Sequence, residues 1–234
     1  MLWELYEPET AALFKKIIKP GMVIVDIGAH VGYFTRIFSR LAGKNGVVYA
    51  FEADPENFEL LQKNTKHLKN IKICRLAISD HAGEIDFYHC EEKAGCHSTL
   101  PDQPLNFKMR KISVPADTLD NIIAREKINR INIIKMDIEG GEPKAIAGMQ
   151  NLLNKNQNIK MVLEFAPAWI KKTLNPLDFL KKISAYGFEI FAVLPDAMEK
   201  IKSDNDSDYE KFIPESRDGT AYNQFVNLYC EKEI

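Results

Sequence analysis

Asp26, Gly28, Gly32 and Glu52 are the first residues whose types and spacing could do chemistry. The apolar run VIVDI carries Asp26 as its one acid, and Gly28 and Gly32 then bracket a short loop before the chain turns amphipathic. A glycine turn after a strand lets a ligand approach the backbone closely, and the helix N-terminus that follows offers unpaired N–H groups. That combination suits any nucleotide-like ligand; the spacing narrows it. A dinucleotide site reads G-x-G-x-x-G, whereas this chain reads Asp26-x-Gly28-x-x-x-Gly32. The acid would repel a pyrophosphate and tolerate an ammonium or a sulfonium. Glu52 falls twenty residues after Gly32, at the end of VVYAFE, where a carboxylate can accept hydrogen bonds from both ribose hydroxyls. Alone, Glu52 would read as a helix-capping or solvated acid. Together the four residues describe an adenosine with a cationic, unphosphorylated tail, and the expected cofactor is S-adenosyl-L-methionine. Ala29 and His30 in the loop, Ala53 beyond Glu52, and Asp137 further along the chain complete its expected cradle.

A second set of acids lies further along. Asp137 and Glu139 follow INIIKM, and Glu164 ends KMVLE. Ligands of doubly wound sheets sit beyond the carboxyl ends of the strands, where the strand order reverses. Asp26 and Asp137 are therefore expected to face one crevice, with Glu164 beside Asp137. Alternation puts Lys135, Asp137 and Glu139 on one face while the strand lasts, and Gly140 and Gly141 break it. The competing assignment for Glu139 is a cap on the helix starting near Glu142, where the helix dipole favours an acid. HCEEKAGCH sets His89 and Cys90 against Cys96 and His97. Zinc could use that donor set, but neighbouring residues of an extended chain point to opposite faces and the gap is wide for a cysteine pair, so a surface hairpin is expected.

These residues need elements to hold them. Helical spacing is read at Pro8–Ile18, Gly32–Leu41, Pro55–Leu68, Thr118–Glu126, Glu142–Leu153 and Leu177–Ala185, and strands at Val23–Ile27, Val47–Phe51, Ile71–Leu76, Ile131–Met136 and Lys160–Glu164. The strands are nearly continuous apolar runs, as in a parallel sheet covered on both faces. EIDFYH and KISVPA flank a polar loop and form a hairpin excursion over residues 84–114. FEIFAVL and QFVNLYCE are separated by a charged loop, 198–218, with no crossover helix, which makes them antiparallel neighbours. One domain spanning residues 1–234 is expected, its helix within 1–20 leading.

Charge and composition set outer limits. Thirty-one basic and 33 acidic side chains leave a net charge of −2, so no global basic field would attract nucleic acid or an anionic membrane. No window reaches the apolar length of a membrane span. Cys74, Cys90, Cys96 and Cys230 form no CxxC pair, which suits a reducing compartment, and a cytoplasmic location is expected.

VIVDIGAHVGYFT, AFEADPENFELLQKN, LAISDHAGEIDFY, TLDNII and INIIKMDIEGGEPKAIAGM resemble successive blocks of the FkbM-type methyltransferases. These are class I S-adenosylmethionine-dependent enzymes that mostly methylate hydroxyl oxygens of sugars and other natural products. The resemblance runs from Tyr6 to Glu164, and KMDIEGGE is its most specific piece. It implies an α/β Rossmann-like fold with a seven-stranded sheet in the order 3-2-1-4-5-7-6, the last strand antiparallel. It also implies a small hydroxylated acceptor, and a place for Ala77, Ile78 and Ser79 around the adenine. The chain departs from the family at His30, where asparagine is common. A hydroxyl is a weak nucleophile, so Asp137 and Glu139, supported by Glu164, are expected to orient or deprotonate it. The acids that follow strands four and five also have the oxygen chemistry to hold a divalent cation such as magnesium, similar to catechol-type enzymes. His97 is a further candidate base, the alternative being a solvated loop histidine. Tyr6 and Glu7 lie where similar enzymes fold over the cofactor, and Trp169 is either an acceptor wall or core. Two alternatives remain open: methylation of a nucleic acid or protein, and a module that binds the cofactor without catalysis.

Overall fold

The computed structural model describes residues 6–91, 97–101, 108–203, 208–213 and 224–232. Helix α1 (Pro8–Ile17) leads into β1 (Val23–Ile27), α2 (Tyr33–Ala42), β2 (Val47–Glu52), α3 (Pro55–Thr65) and β3 (Ile71–Arg75). The excursion follows as β4 (Ala77–Ile78), β5 (Gly83–Cys90) and β6 (Met109–Asp117). Alternation resumes with α4 (Leu119–Glu126), β7 (Ile133–Met136), α5 (Glu142–Ala147), α6 (Gln150–Lys155) and β8 (Lys160–Phe165). The chain closes with α7 (Pro167–Ile170), α8 (Pro176–Ala185), β9 (Phe188–Val193), β10 (Met198–Lys200) and β11 (Val226–Lys232).

The main sheet runs β10-β9-β11-β8-β7-β1-β2-β3. The seven strands from β9 to β3 have the expected order, with β11 antiparallel to both β8 and β9. The strand count is corrected from seven to eight: β10 pairs antiparallel with β9 at the edge, through a turn closed by Leu194 N–H donating to the Ala197 carbonyl. All three residues of β10 are exposed, so Met-Glu-Lys shows no buried face by which its pairing could be read, and the stretch from residue 198 looked like a charged loop. The excursion forms a second sheet, β4-β6-β5, whose β5/β6 hairpin is antiparallel.

Apolar strands bury because helices cover both faces. On one face Phe14, Phe34 and Phe38 from α1 and α2 pack over Ile24, Val48, Ile133 and Val162, with Phe14 and Phe38 edge to face at 4.5 Å. On the other, Leu119, Ile146, Leu153, Phe179 and Ile183 cover Val25, Ile134 and Leu163. The expected single helix Glu142–Leu153 is two helices. A Cβ on Gly148 would meet the Ser79 carbonyl at 1.9 Å, so the break is where the chain presses onto that backbone. Asp120 then caps α6 by accepting from Asn151 N–H and Leu152 N–H.

Candidate active site

The loop after β1 is pinned to the tip of β2: the N–H groups of Gly28 and Ala29 both donate to the Phe51 carbonyl, at 3.0 and 2.9 Å. Gly28 has φ 75°, and a Cβ there would lie 1.9 Å from the Asp137 carbonyl oxygen. No other residue fits that approach. His30 is also left-handed, at φ 51°, a region in which asparagine and histidine are among the better-tolerated side chains. Its N–H donates to Glu52 Oε2 at 2.7 Å, while Asp54 N–H donates to Oε1 at 2.9 Å. Glu52 is 6% exposed. Burial pushes its carboxyl up to about 7, against the pull of those two N–H groups. Gly32 caps α2 without a side-chain bond, which leaves that helix's first N–H groups to be met by something else.

A cleft enclosing about 1080 Å³, open solvent included, lies over this loop, and Gly28, Ala29, His30, Glu52, Ala53, Ala77, Ile78 and Ser79 all line it. Asp26 does not, which corrects the expectation that it faces the crevice. It is fully buried, accepts from Thr35 Oγ1 at 2.6 Å, and lies 3.7 Å from Lys135 Nζ. Gly32 is absent from the lining as well, its α-carbon side packed against Leu61.

Asp137, Glu139 and Glu164 line the same cleft, with one carboxylate oxygen of each lying within 4.8 Å of the others. Asp137 N–H still pairs with the Ile27 carbonyl; Glu139 at φ 51° and Gly140 at φ 89° then turn the chain away. Glu164 is held well above the usual carboxylate range, first by burial and then by Asp137 and Glu139. The expected cap on α5 is not formed, since Gly141 is the N-cap of that helix and no described side chain caps it; Glu142, its first residue, accepts from Ile138 N–H of the preceding loop at 3.0 Å. Glu139 instead offers its carbonyl to Ser98 Oγ at 2.6 Å. Burial lifts the Glu142 carboxyl to about 7. Three oxygens so grouped have the hard-ligand chemistry of a magnesium site.

His97 lines the cleft, but a role as base does not fit it. Its Nδ1 accepts from Cys90 N–H at 2.9 Å, so the neutral ring carries its proton on Nε2 and has no acceptor left to offer. Burial lowers it to about 4. The excursion that looked like a surface hairpin turns its histidines inward: His89 is buried with its Nδ1 on Asp54 Oδ2 and stacks on His97 at 4.5 Å. Cys90 is buried beside Leu100 and Trp169, and Cys96 lies outside the described residues. Asp54 is already engaged, accepting from Glu56 N–H and Asn57 N–H at the start of α3. Among the described residues, the Nδ1 atoms of both histidines are therefore engaged. Trp169 is fully buried and does not reach the cleft. Tyr6 does, its ring edge on to Tyr33 at 5.4 Å, and Glu7 accepts from Asn227 Nδ2 at 2.9 Å. Sequence reasoning missed Tyr33, Phe87 and Lys144 in the lining, since nothing local marks a helix start or a hairpin residue as facing a ligand.

The methyltransferase FkbM domain model matches residues 26–190, which hold the loop, Glu52 and all three acids. The chain belongs to that family. It is similar to the 2-O-methyltransferase NoeI of Sinorhizobium fredii, with 31% identity over 60% of this chain and 63% of that one. It is also similar to the hexuronic acid methyltransferase AglP of Haloferax volcanii, with 26% identity over 69% and 61%. The chain thus spans a little over three fifths of the length of these relatives. Among solved structures, Aeropyrum pernix fibrillarin in complex with S-adenosyl-L-methionine shares the fold, with TM-score 0.54 and 15% identity over 97% of this chain and 76% of that one.

Proposed function

We propose that this family member is an S-adenosylmethionine-dependent O-methyltransferase whose acceptor is a hydroxyl of a sugar or another small natural product. The observation that carries it is that a rigid nucleoside cradle and a trio of carboxylates share one cleft. The cradle fits the cofactor. Glu52 keeps both oxygens fixed by backbone N–H groups yet lines the cleft, so its remaining lone pairs can take the ribose hydroxyls; Ala53, Ala77 and Ile78 offer apolar walls for the base. When bound, the cofactor supplies a methyl group activated on sulfur.

The chain's residues do the remainder. Asp137 holds the acceptor hydroxyl and takes its proton, while Glu139 orients it; Glu164, whose neutral form burial favours, donates a hydrogen bond to a second hydroxyl. Tyr6 covers the cleft and limits water. The grouped oxygens also support a cation-assisted variant, in which a magnesium ion on the trio would acidify the hydroxyl. No described helix is long and apolar enough to cross a membrane; the proposed setting is cytoplasmic, with which the unpaired Cys74, Cys90 and Cys230 are compatible. A screen of glycans and small alcohols with labelled cofactor, with and without magnesium, tests the proposal. Transfer to a hydroxylated acceptor is expected; cofactor binding with no transfer to any would favour a binding module.

A further inference from the structure

Lys135 is 6% exposed and lies opposite Asp26 in the parallel register of β1 and β7. Its ammonium has three N–H groups to place. One hydrogen bond and two ion pairs surround it, each from a different segment: it donates to the Gly28 carbonyl at 2.8 Å, and its Nζ lies 3.4 Å from Asp137 Oδ2 and 3.7 Å from Asp26 Oδ1, an oxygen that has no hydrogen bond of its own among the described residues. Gly28 opens the donor loop, and Asp137 follows β7 beside it, its carbonyl pressed against the Gly28 α-carbon. Asp26 is fixed within the sheet by Thr35. Among the described residues, Lys135 is the only ion-pair partner of either aspartate. A buried ion pair adds little net stability over an apolar pair of similar volume, and the rest of β7 is Ile133, Ile134 and Met136. Stability alone does not account for a lysine here.

From this tripod we infer that Lys135 is a positioning residue for methyl transfer: it fixes the distance between the donor loop and Asp137, and Asp26 is its anchor rather than a cofactor ligand. In-line displacement is sensitive to such alignment, a misplacement of about 1 Å costing on the order of 10²-fold in rate. The inference rests on the methyltransferase proposal above.

The test uses the full chain and an acceptor found in the screen. K135M alone leaves Asp26 buried without its counterion, so its melting temperature is expected to fall by about 10 °C. The decisive variant is D26N/K135M, which removes both charges while the new amide oxygen can still accept from Thr35; it is expected to melt within about 5 °C of the parent. Its kcat at saturating cofactor and acceptor should fall on the order of 10²-fold, with affinity for S-adenosylhomocysteine changed less than about tenfold. A kcat within about threefold of the parent overturns the inference and leaves Lys135 a counterion only. D26N alone separates anchor from ligand: product affinity kept within about threefold supports the inference, and a loss of about 100-fold overturns it. A parent protein with no affinity for S-adenosylhomocysteine refutes the methyltransferase proposal itself, before any variant is made.

Discussion

Replacing Glu52 with glutamine probes the nucleoside cradle at its most constrained point. Both carboxylate oxygens already accept a backbone N–H, from His30 and Asp54. An amide can satisfy one of them, and its NH₂ then faces the other donor. Losing one charge-assisted bond to a ribose hydroxyl costs about 2 kcal/mol, so E52Q should bind S-adenosylhomocysteine roughly 30-fold more weakly at pH 8. The pH dependence is more diagnostic. With its carboxyl at about 7 in the free protein, Glu52 must lose a proton before it can accept from both hydroxyls, so affinity rises with pH up to about 7 and then levels. Between pH 8 and pH 6 the parent should lose about tenfold in affinity, and binding at pH 6 should release about 0.9 proton. Titration calorimetry in two buffers of different ionisation heat measures both quantities. E52Q should show neither the slope nor the proton release. A parent whose affinity is flat from pH 6 to 8, with heats independent of buffer, would refute the assignment of Glu52 to the ribose.

Asp137→Asn should lower the transfer rate by about 10² to 10⁴-fold while product affinity by calorimetry stays within about threefold; full activity would remove Asp137 from the chemistry. Glu52 and Glu142 are both raised to about 7 in the folded chain. The stability they contribute is fully present below about pH 4.5 and is lost as pH rises through about 7, up to about 3 kcal/mol each. The unliganded protein should therefore melt lower at pH 8.5 than at pH 6, read by scanning calorimetry. Gly148→Ala would drive a Cβ to 1.9 Å from the Ser79 carbonyl, at a cost of about 3 kcal/mol in chemical denaturation, and should weaken cofactor binding by shifting the Ser79 wall.

What the sequence disclosed follows the reach of the forces involved. Val23–Ile27 was read to its ends because a buried parallel strand is marked by its own composition. Asp137, Glu139 and Glu164 were brought together correctly because strand ends in a doubly wound sheet converge by topology. Asp26 was misplaced, since one strand's alternation does not reveal that Lys135 from the neighbouring strand neutralises it in the interior. The same holds for His97: its near-neutral imidazole made it a candidate base, and only the structure shows its Nδ1 already occupied by Cys90 N–H. Asp120, which caps a helix 31 residues onward, leaves no trace in any local window.

The two-residue strand β4 joins the wall of the nucleoside pocket to the small sheet, because Ala77 and Ile78 pair with Ala116 and Asp117, and the partner hairpin strand β5 bridges onward from Tyr88 to Ser98. The hairpin excursion is thus laced to the surface that lines the nucleoside pocket. Any lineage that remodels the excursion to accept a new alcohol must also retune its hold on the donor, and engineers who graft such a loop will meet the same bargain.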